Sequence, residues 1–183
     1  MLEVNMAAVE TVRLAERRLR VVLRVRMLSG ADRNGDPREL PCNVQGLDVQ
    51  VLCIAPGDWL AVSDTVTAAE LCRHWSAESA ARELSIVDVT YDYAVFELDG
   101  GAARELLAKG CGLDLHPERF PPGSNTRTRL AKIAVHIVCQ STQHFFLYVT
   151  RSYANYLGEW LRDAAVEFAP APTNRPKQRY SND

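Results

Sequence analysis

The densest group of reactive side chains in this sequence is Asp114, His116 and Glu118, three ionisable residues at alternate positions. The spacing sets carboxylates beside an imidazole, as a proton-transfer site requires. No nucleophile stands ahead of them in a strained turn, and Pro117 holds the preceding residue in extended backbone. The reading adopted is a loop histidine whose ring satisfies a backbone carbonyl. His136 and His144 flank a predicted hairpin turn and could face each other, but two histidines without a third ligand do not make a zinc site. Cross-strand packing is expected of them instead. Arg127, Arg129 and Arg151 carry guanidinium forks that grip carboxylates and phosphates at two points, and arginine is equally an interface residue. The chain has no Gly-x-Gly-x-x-Gly to cradle a phosphate, no Gly-x-Ser-x-Gly elbow and no metal-binding cysteine cluster. Partner contact is therefore the reading for these arginines, and free-standing catalysis is not expected.

Composition sets the frame for that chemistry. A chain of 183 residues, 47% hydrophobic and 24% charged, has the make-up of an ordinary globular protein. At this length folding buries roughly 70% of the unfolded surface. A formal net charge of −2 supplies no field that gathers nucleic acid. The apolar runs fall well short of the roughly 20 residues that span a bilayer, and the first residues lack the order of a signal peptide. A cytoplasmic chain with no membrane or nucleic-acid partner is expected. Cys42, Cys53, Cys72, Cys111 and Cys139 are odd in number and form no Cys-x-x-Cys pair, so reduced thiols are expected. Cys53, Cys72 and Cys139 fall in apolar patterns, where a thiol packs as a small hydrophobe.

Residues 18–27 alternate, with Leu19, Val21, Leu23, Val25 and Met27 on one side and Arg18, Arg20, Val22, Arg24 and Arg26 on the other. This pattern predicts a strand whose arginines are solvated or paired with acidic neighbours. Residues 29–39 collect turn formers and charges and predict an exposed connection. A strand-strand-helix pattern then recurs three times. Val49–Ile54 and Trp59–Val62 flank the turn Pro56-Gly57-Asp58. A helix follows from Thr67, which has capping-box spacing with Glu70, and Leu71, Cys72, Trp75 and Ser79 mark its inner stripe. Ser85–Thr90 and Tyr93–Leu98 predict a second hairpin around Tyr91-Asp92, followed by a helix over Gly101–Lys109 that buries Ala103, Leu106 and Leu107. Gly110 sits where a left-handed terminator belongs. Ile133–Cys139 and His144–Thr150 predict a third hairpin, and a helix over Ser152–Phe168 presents Tyr153, Tyr156, Leu157, Trp160, Leu161, Ala164, Ala165 and Phe168 at helical spacing.

The expected fold class is α+β, with antiparallel sheets and helices on one face, built from repeated strand-strand-helix units. It forms one domain over 1–168, divisible into intimately packed halves at about 1–110 and 111–168, with a flexible tail over 169–183 that is too poor in apolar residues to fold alone. Gly110–Leu130 reads as a structureless connection of a length that usually has work to do or a surface to lie on. We read it as a docking loop.

Two stretches carry a resemblance: Lys109-Gly110-Cys111-Gly112-Leu113-Asp114-Leu115-His116-Pro117 and Arg151-Ser152-Tyr153-Ala154-Asn155-Tyr156-Leu157-Gly158-Glu159-Trp160-Leu161. With Ala103-Arg104-Glu105-Leu106-Leu107, Phe120, Gly123, Thr128 and Leu130-Ala131, they closely resemble the gamma subunit of heterotetrameric sarcosine oxidase. A weaker likeness runs back through Pro41-Cys42 and Pro56-Gly57-Asp58-Trp59-Leu60. The family is similar to a shortened folate-binding fold of the glycine-cleavage T protein, which agrees with the hairpin-helix units. The resemblance implies a chain with no catalytic, cofactor-binding or metal-binding residue of its own. It implies alpha, beta and delta partners that hold FAD, FMN, NAD and tetrahydrofolate, with zinc on the delta chain. It also implies an assembly that oxidatively demethylates sarcosine to glycine, giving methylene-tetrahydrofolate or formaldehyde and hydrogen peroxide. A related N-methyl amino acid dehydrogenase, or a free-standing folate-binding one-carbon protein, is the alternative. The residues expected at the partner interface are Cys111, Asp114, His116, Phe120, Arg127, Arg129 and Arg151.

Overall fold

The structure is a computed structural model that describes residues 12–28, 44–76, 80 and 83–168. The expected connection over 29–39, Cys42, Ser79 and the tail over 169–183 lie outside the described residues. Among the described residues, nine strands form two antiparallel sheets. They are β1 (Arg13–Arg17), β2 (Val21–Met27), β3 (Gln50–Ala55), β4 (Asp58–Ser63), β5 (Leu84–Asp88), β6 (Tyr93–Asp99), β7 (Asn125–Leu130), β8 (Ile133–Cys139) and β9 (His144–Thr150). One sheet runs β1-β6-β9-β8-β7 and the other β3-β4-β2-β5. The helices are α1 (Ala68–His74), α2 (Ala103–Ala108) and α3 (Ala154–Ala165).

Period-two alternation on each central strand sorts its side chains into separate cores. Val21, Leu23 and Val25 of β2 face α1, where Trp59, Leu71 and Trp75 join them. Val22 of the same strand points the other way, into an inter-sheet layer with Leu52, Leu60, Val95, Val138 and Tyr148. The five-stranded sheet turns Phe96, Leu98, Ile137, Phe145 and Leu147 outward against Leu106 and Leu107 of α2 and Leu157 and Leu161 of α3. The order of layers is therefore helix, sheet, sheet, helix, and each sheet is covered by helices on one face only.

Several local features follow the sequence. Gly57 takes φ +78° in the β3–β4 turn, a conformation that favours glycine. The Thr67 hydroxyl accepts the Glu70 amide at 3.3 Å while the Glu70 carboxylate accepts the Thr67 amide at 2.7 Å, closing the capping box that starts α1. Arg24 and Arg26 both pair with Asp58, so these arginines of β2 are neutralised by a neighbour. The Arg24 hydrogen bond holds the Asp58 carboxyl below the ordinary carboxylate range.

Five expectations are corrected. The strand over 18–27 is two strands, because Arg18–Arg20 carry the chain from the five-stranded sheet to the four-stranded one. The second hairpin does not exist: β5 pairs with β2 and β6 pairs with β1 and β9, while a 3₁₀ turn over Thr90–Asp92 carries the chain between the sheets. Tyr91-Asp92 lacks the positive-φ residues that a tight hairpin needs, and a right-handed turn splays the strands it joins. Gly110–Leu130 is not structureless, since Asn125–Leu130 is edge strand β7, paired with β8 in register from Asn125↔Val138 to Leu130↔Ile133. Its outer residues Asn125, Arg127 and Arg129 are exposed, so no apolar alternation announces it. Cys72 is exposed, a quarter turn of helix away from Leu71. Tyr153 and Tyr156 lie 50% and 45% exposed at the flank of the α3 stripe rather than within it.

Gly110 is the last correction of the same kind. It is absent from the positive-φ positions, and glycine is required there because a Cβ would lie 2.5 Å from Trp160 Cζ2 and 3.2 Å from the Ala131 amide. The close approach brings α3 onto the end of α2, where Lys109 Nζ donates to the Ala164 carbonyl at 2.7 Å. Gly110→Ala should destabilise the chain by about 1–3 kcal/mol, read as a lowered urea midpoint. Trp160→Leu in the same chain should recover part of that loss, whereas a purely conformational effect at Gly110 predicts no recovery.

Candidate functional site

Between the two sheets lies a cleft of about 470 Å³ lined by polar groups from β1, β3, β4 and β9 and from the connections beside them. Arg17 at the end of β1 reaches Asp64 at 2.8 Å and Glu97 of β6 at 3.6 Å. The other oxygen of Glu97 meets His144 Nε2 at 2.7 Å. The ring of Phe146, two residues along β9 on the same face as His144, lies under the Arg17 guanidinium at 5.2 Å. Deeper in, the Tyr148 hydroxyl donates to Gln50 Oε1 at 3.3 Å, and burial pushes this phenol well above its ordinary pKa, so it remains a proton donor. The Ser63 hydroxyl accepts the amides of Thr65 and Val66 and shapes the turn that leads into α1.

These groups satisfy one another. A carboxylate held between a guanidinium and an imidazole is already engaged, and the Ser63 hydroxyl serves backbone amides, so the cleft ties β1, β6 and β9 to the turn after β4. The Arg17–Asp64 pair is about two-fifths exposed on each side and contributes at most about 1 kcal/mol. Sequence reasoning missed this network because its members lie dozens of residues apart. Its signal was the polar interruption that Glu97 makes in an otherwise apolar strand.

The residues expected at a partner interface do not converge. Cys111 and Phe120 are 9% and 5% exposed and belong to the core under α2 and α3. Asp114 and His116 occupy one exposed turn. The Asp114 carboxylate accepts the His116 amide at 3.0 Å, and His116 Nδ1 faces the Glu118 amide at 3.4 Å. The ring thus serves an N–H group rather than the expected carbonyl. Its 4.0 Å approach to the Glu118 carboxylate leaves side chains 63% and 86% exposed, a solvated turn and not a proton-transfer pair. Arg127 and Arg129 lie on edge strand β7, where Arg129 donates to the Lys132 carbonyl at 3.0 Å. Arg151 reaches the opposite edge, meeting Glu16 of β1 at 2.8 Å and the Tyr93 carbonyl at 2.5 Å.

His136 and His144 do not face each other, since His136 is opposite Tyr148 and His144 is opposite Asp99. Among the described residues, no group of three or more His, Cys, Asp or Glu side chains is placed to hold a metal ion. No described helix is long and apolar enough to cross a membrane. His136 is 4% exposed, with Nε2 3.1 Å from Asn125 Oδ1 and Nδ1 without a partner. Burial, and then the nearby charge of Arg127, bring its pKa down to about 4. The unfolded chain takes up this proton near pH 6.5 while the folded chain refuses it until about 4. The contribution is therefore complete above pH 6.5 and is lost as pH falls toward 4, by roughly 3 kcal/mol. Urea midpoints at pH 7.5, 6 and 5 should show this decline, and His136→Leu should flatten it. An unchanged slope in the variant would assign the acid sensitivity to other groups.

The layered architecture and its connectivity place the chain in a known fold class. Superposed on a solved heterotetrameric sarcosine oxidase from Corynebacterium sp. U-96 in complex with pyrrole 2-carboxylate, it gives a TM-score of 0.72 at 24% identity, covering 88% of this chain and 87% of that one. The glycine cleavage system aminomethyltransferase T from Bartonella henselae shares the fold at a TM-score of 0.59 and 14% identity, over 85% of this chain and 46% of that protein. At these identities the likeness concerns the fold alone. In sequence, residues 39–167 match the family described as sarcosine oxidase, gamma subunit family. The sarcosine oxidase subunit gamma of Corynebacterium sp. (strain P-1) is 32% identical over 122 residues, covering 67% of this chain and 59% of that protein. That of Arthrobacter sp. is 31% identical over 125 residues with the same coverages. The matched part of the chain thus spans about three-fifths of the length of these relatives. This chain belongs to the sarcosine oxidase gamma subunit family.

Proposed function

We propose that this chain is the non-catalytic gamma subunit of a cytoplasmic, heterotetrameric sarcosine oxidase-type flavoenzyme complex. Alpha, beta and delta chains are its partners, and they carry FAD, FMN, NAD and tetrahydrofolate, with zinc on the delta chain. The assembly oxidises sarcosine and releases glycine, passes the one-carbon unit to tetrahydrofolate or releases it as formaldehyde, and yields hydrogen peroxide from the reduced flavin. The observation that carries this reading is the family match over residues 39–167. It is supported by an inter-sheet cleft whose charged groups are engaged with one another. The exposed part of the segment after α2, including Asp114, His116, Arg127 and Arg129, and Arg151 beyond β9, are the proposed contacts. A dehydrogenase acting on another N-methylated amino acid would use a gamma chain in the same way.

The likeness of fold to aminomethyltransferase T favours a second reading, a free-standing folate-binding one-carbon protein. Co-expression with the three partner chains followed by size exclusion separates the two. Co-elution supports the subunit reading, while elution of this chain alone beside an intact complex of the others overturns it. Micromolar binding of tetrahydrofolate to the isolated chain would favour the second reading.

A further inference from the structure

Both connections that carry the chain from one sheet to the other lie side by side at one end of the molecule. Residues Arg18–Arg20 link β1 to β2, and Val89–Asp92 link β5 to β6. The second is tied to the start of β2, just past the first, by hydrogen bonds from the Val22 amide to the Thr90 hydroxyl at 2.9 Å and from the Val89 amide to the Val22 carbonyl at 2.9 Å. The 3₁₀ turn over Arg151–Tyr153, which follows β9, packs against the second of them. Three loops on rigid strand ends thus frame one opening, the usual placement of recognition surfaces.

The opening is a cleft of about 760 Å³ whose charged lining is Arg17, Arg18, Arg20 and Arg151 against Glu16 alone. A second depression, with Arg24 and Asp92 in its lining, shares Tyr91, Tyr93 and Arg151 with the first. The two together make an elongated trough. Its arginines are not equivalent. Arg17, Arg24 and Arg151 already have carboxylate partners in direct contact, whereas Arg18 and Arg20 are exposed, with Arg20 near enough to Glu70 of α1 for its charge to be felt there. On the rim, Tyr91 is 89% exposed, the most exposed of the large side chains of the described core and surface aromatics. The whole chain carries a formal charge of −2, so this concentration of positive charge is local.

We propose that this trough is where an acidic segment of a partner polypeptide docks, with Arg18 and Arg20 taking its carboxylates and Tyr91 covering its side chains. The proposal rests on the subunit reading and adds to the contacts proposed above a second surface for that assembly. Arginine and tyrosine are residue types enriched where protein interfaces bind most tightly, exposed guanidiniums offer two-point contacts to carboxylates, and the charged lining of the larger cleft is four arginines against one glutamate.

The test uses the full chain co-expressed with its alpha, beta and delta partners. Arg18→Glu with Arg20→Glu should weaken retention in the complex by about tenfold or more, with the urea midpoint of the variant chain unchanged. Arg18→Lys with Arg20→Lys should retain most of the binding, and raising salt from 0.05 to about 0.5 M should weaken the parent complex more than the charge-reversed one. A photo-crosslinking residue in place of Tyr91 should join an acidic stretch of a partner. Full retention of the charge-reversed chain overturns the proposal while leaving the subunit reading intact. Failure of the parent chain to co-elute overturns both. Saturable binding of inorganic pyrophosphate that the charge reversal abolishes, with assembly unaffected, would make the trough a small-anion site and also overturn it.

Discussion

Arg104→Met should destabilise the chain by about 3 kcal/mol and release the segment between α2 and β7. From α2 the guanidinium donates to the carbonyls of Leu115, Phe120 and Thr142, the last two at 3.1 and 2.9 Å. It also lies 5.0 Å from the centre of the Phe145 ring. One planar fork therefore satisfies backbone acceptors of two different loops, which no other group nearby replaces. Arg104→Lys should recover only part of the loss, because an ammonium is a point charge on a flexible stem and cannot span three carbonyls. Amide exchange should accelerate over residues 111–124 more than over β8 and β9. Uniform acceleration across the chain would mean that Arg104 supports the whole sheet rather than this segment.

Phe120→Ala should cost a further large amount, about 3–5 kcal/mol. The ring is 5% exposed and sits in the core formed by α2, α3 and the five-stranded sheet, and its own amide donates to the His116 carbonyl at 2.8 Å. The segment after α2 is thus held at Leu115 and Phe120 by Arg104 and at Phe120 also by the buried ring. The expected result is a lowered urea midpoint in the isolated chain. A variant that unfolds like the parent yet fails to assemble would restore Phe120 to the interface and contradict its place in the core.

The physical reasons why some of this was legible from residues and some was not are specific. The amphipathic helix that became α3 and the box at Thr67 and Glu70 announce themselves because their signals are local, repeating over three or four residues. The apolar strands β4, β8 and β9 do so for the same reason. The pairing of β5 was illegible because a short connection between two strands fits either a hairpin or a passage between sheets, and only the turn's handedness distinguishes them. Tyr91-Asp92, without a glycine or asparagine, carried that distinction. Edge strand β7 was hidden by its own chemistry, since polar and charged residues are what protect an exposed edge from unwanted pairing.

The functional residues divide along the same line. His116 and its flanking carboxylates looked like chemistry because they are close in sequence, yet they form a solvated turn. The Arg17, Glu97 and His144 network ties three strands of the five-stranded sheet through residues 80 and 47 positions apart along the chain, and the Arg17–Asp64 pair carries it across to the other sheet. The arginines at 18 and 20 are visible in the sequence as an alternating face, but their difference from Arg24 and Arg26 appears only in the structure, where β2 begins after them and Arg24 and Arg26 sit on Asp58.

The proposal that the chain is a structural subunit of a sarcosine-oxidising assembly can be checked by native mass spectrometry of the complex purified through a tag on its largest chain, with turnover of sarcosine measured on the same sample. The account predicts one copy of this 183-residue chain in each active particle, and loss of the intact particle when the chain is omitted. A particle that lacks the chain and still oxidises sarcosine at the full rate, with unchanged stability, would contradict it.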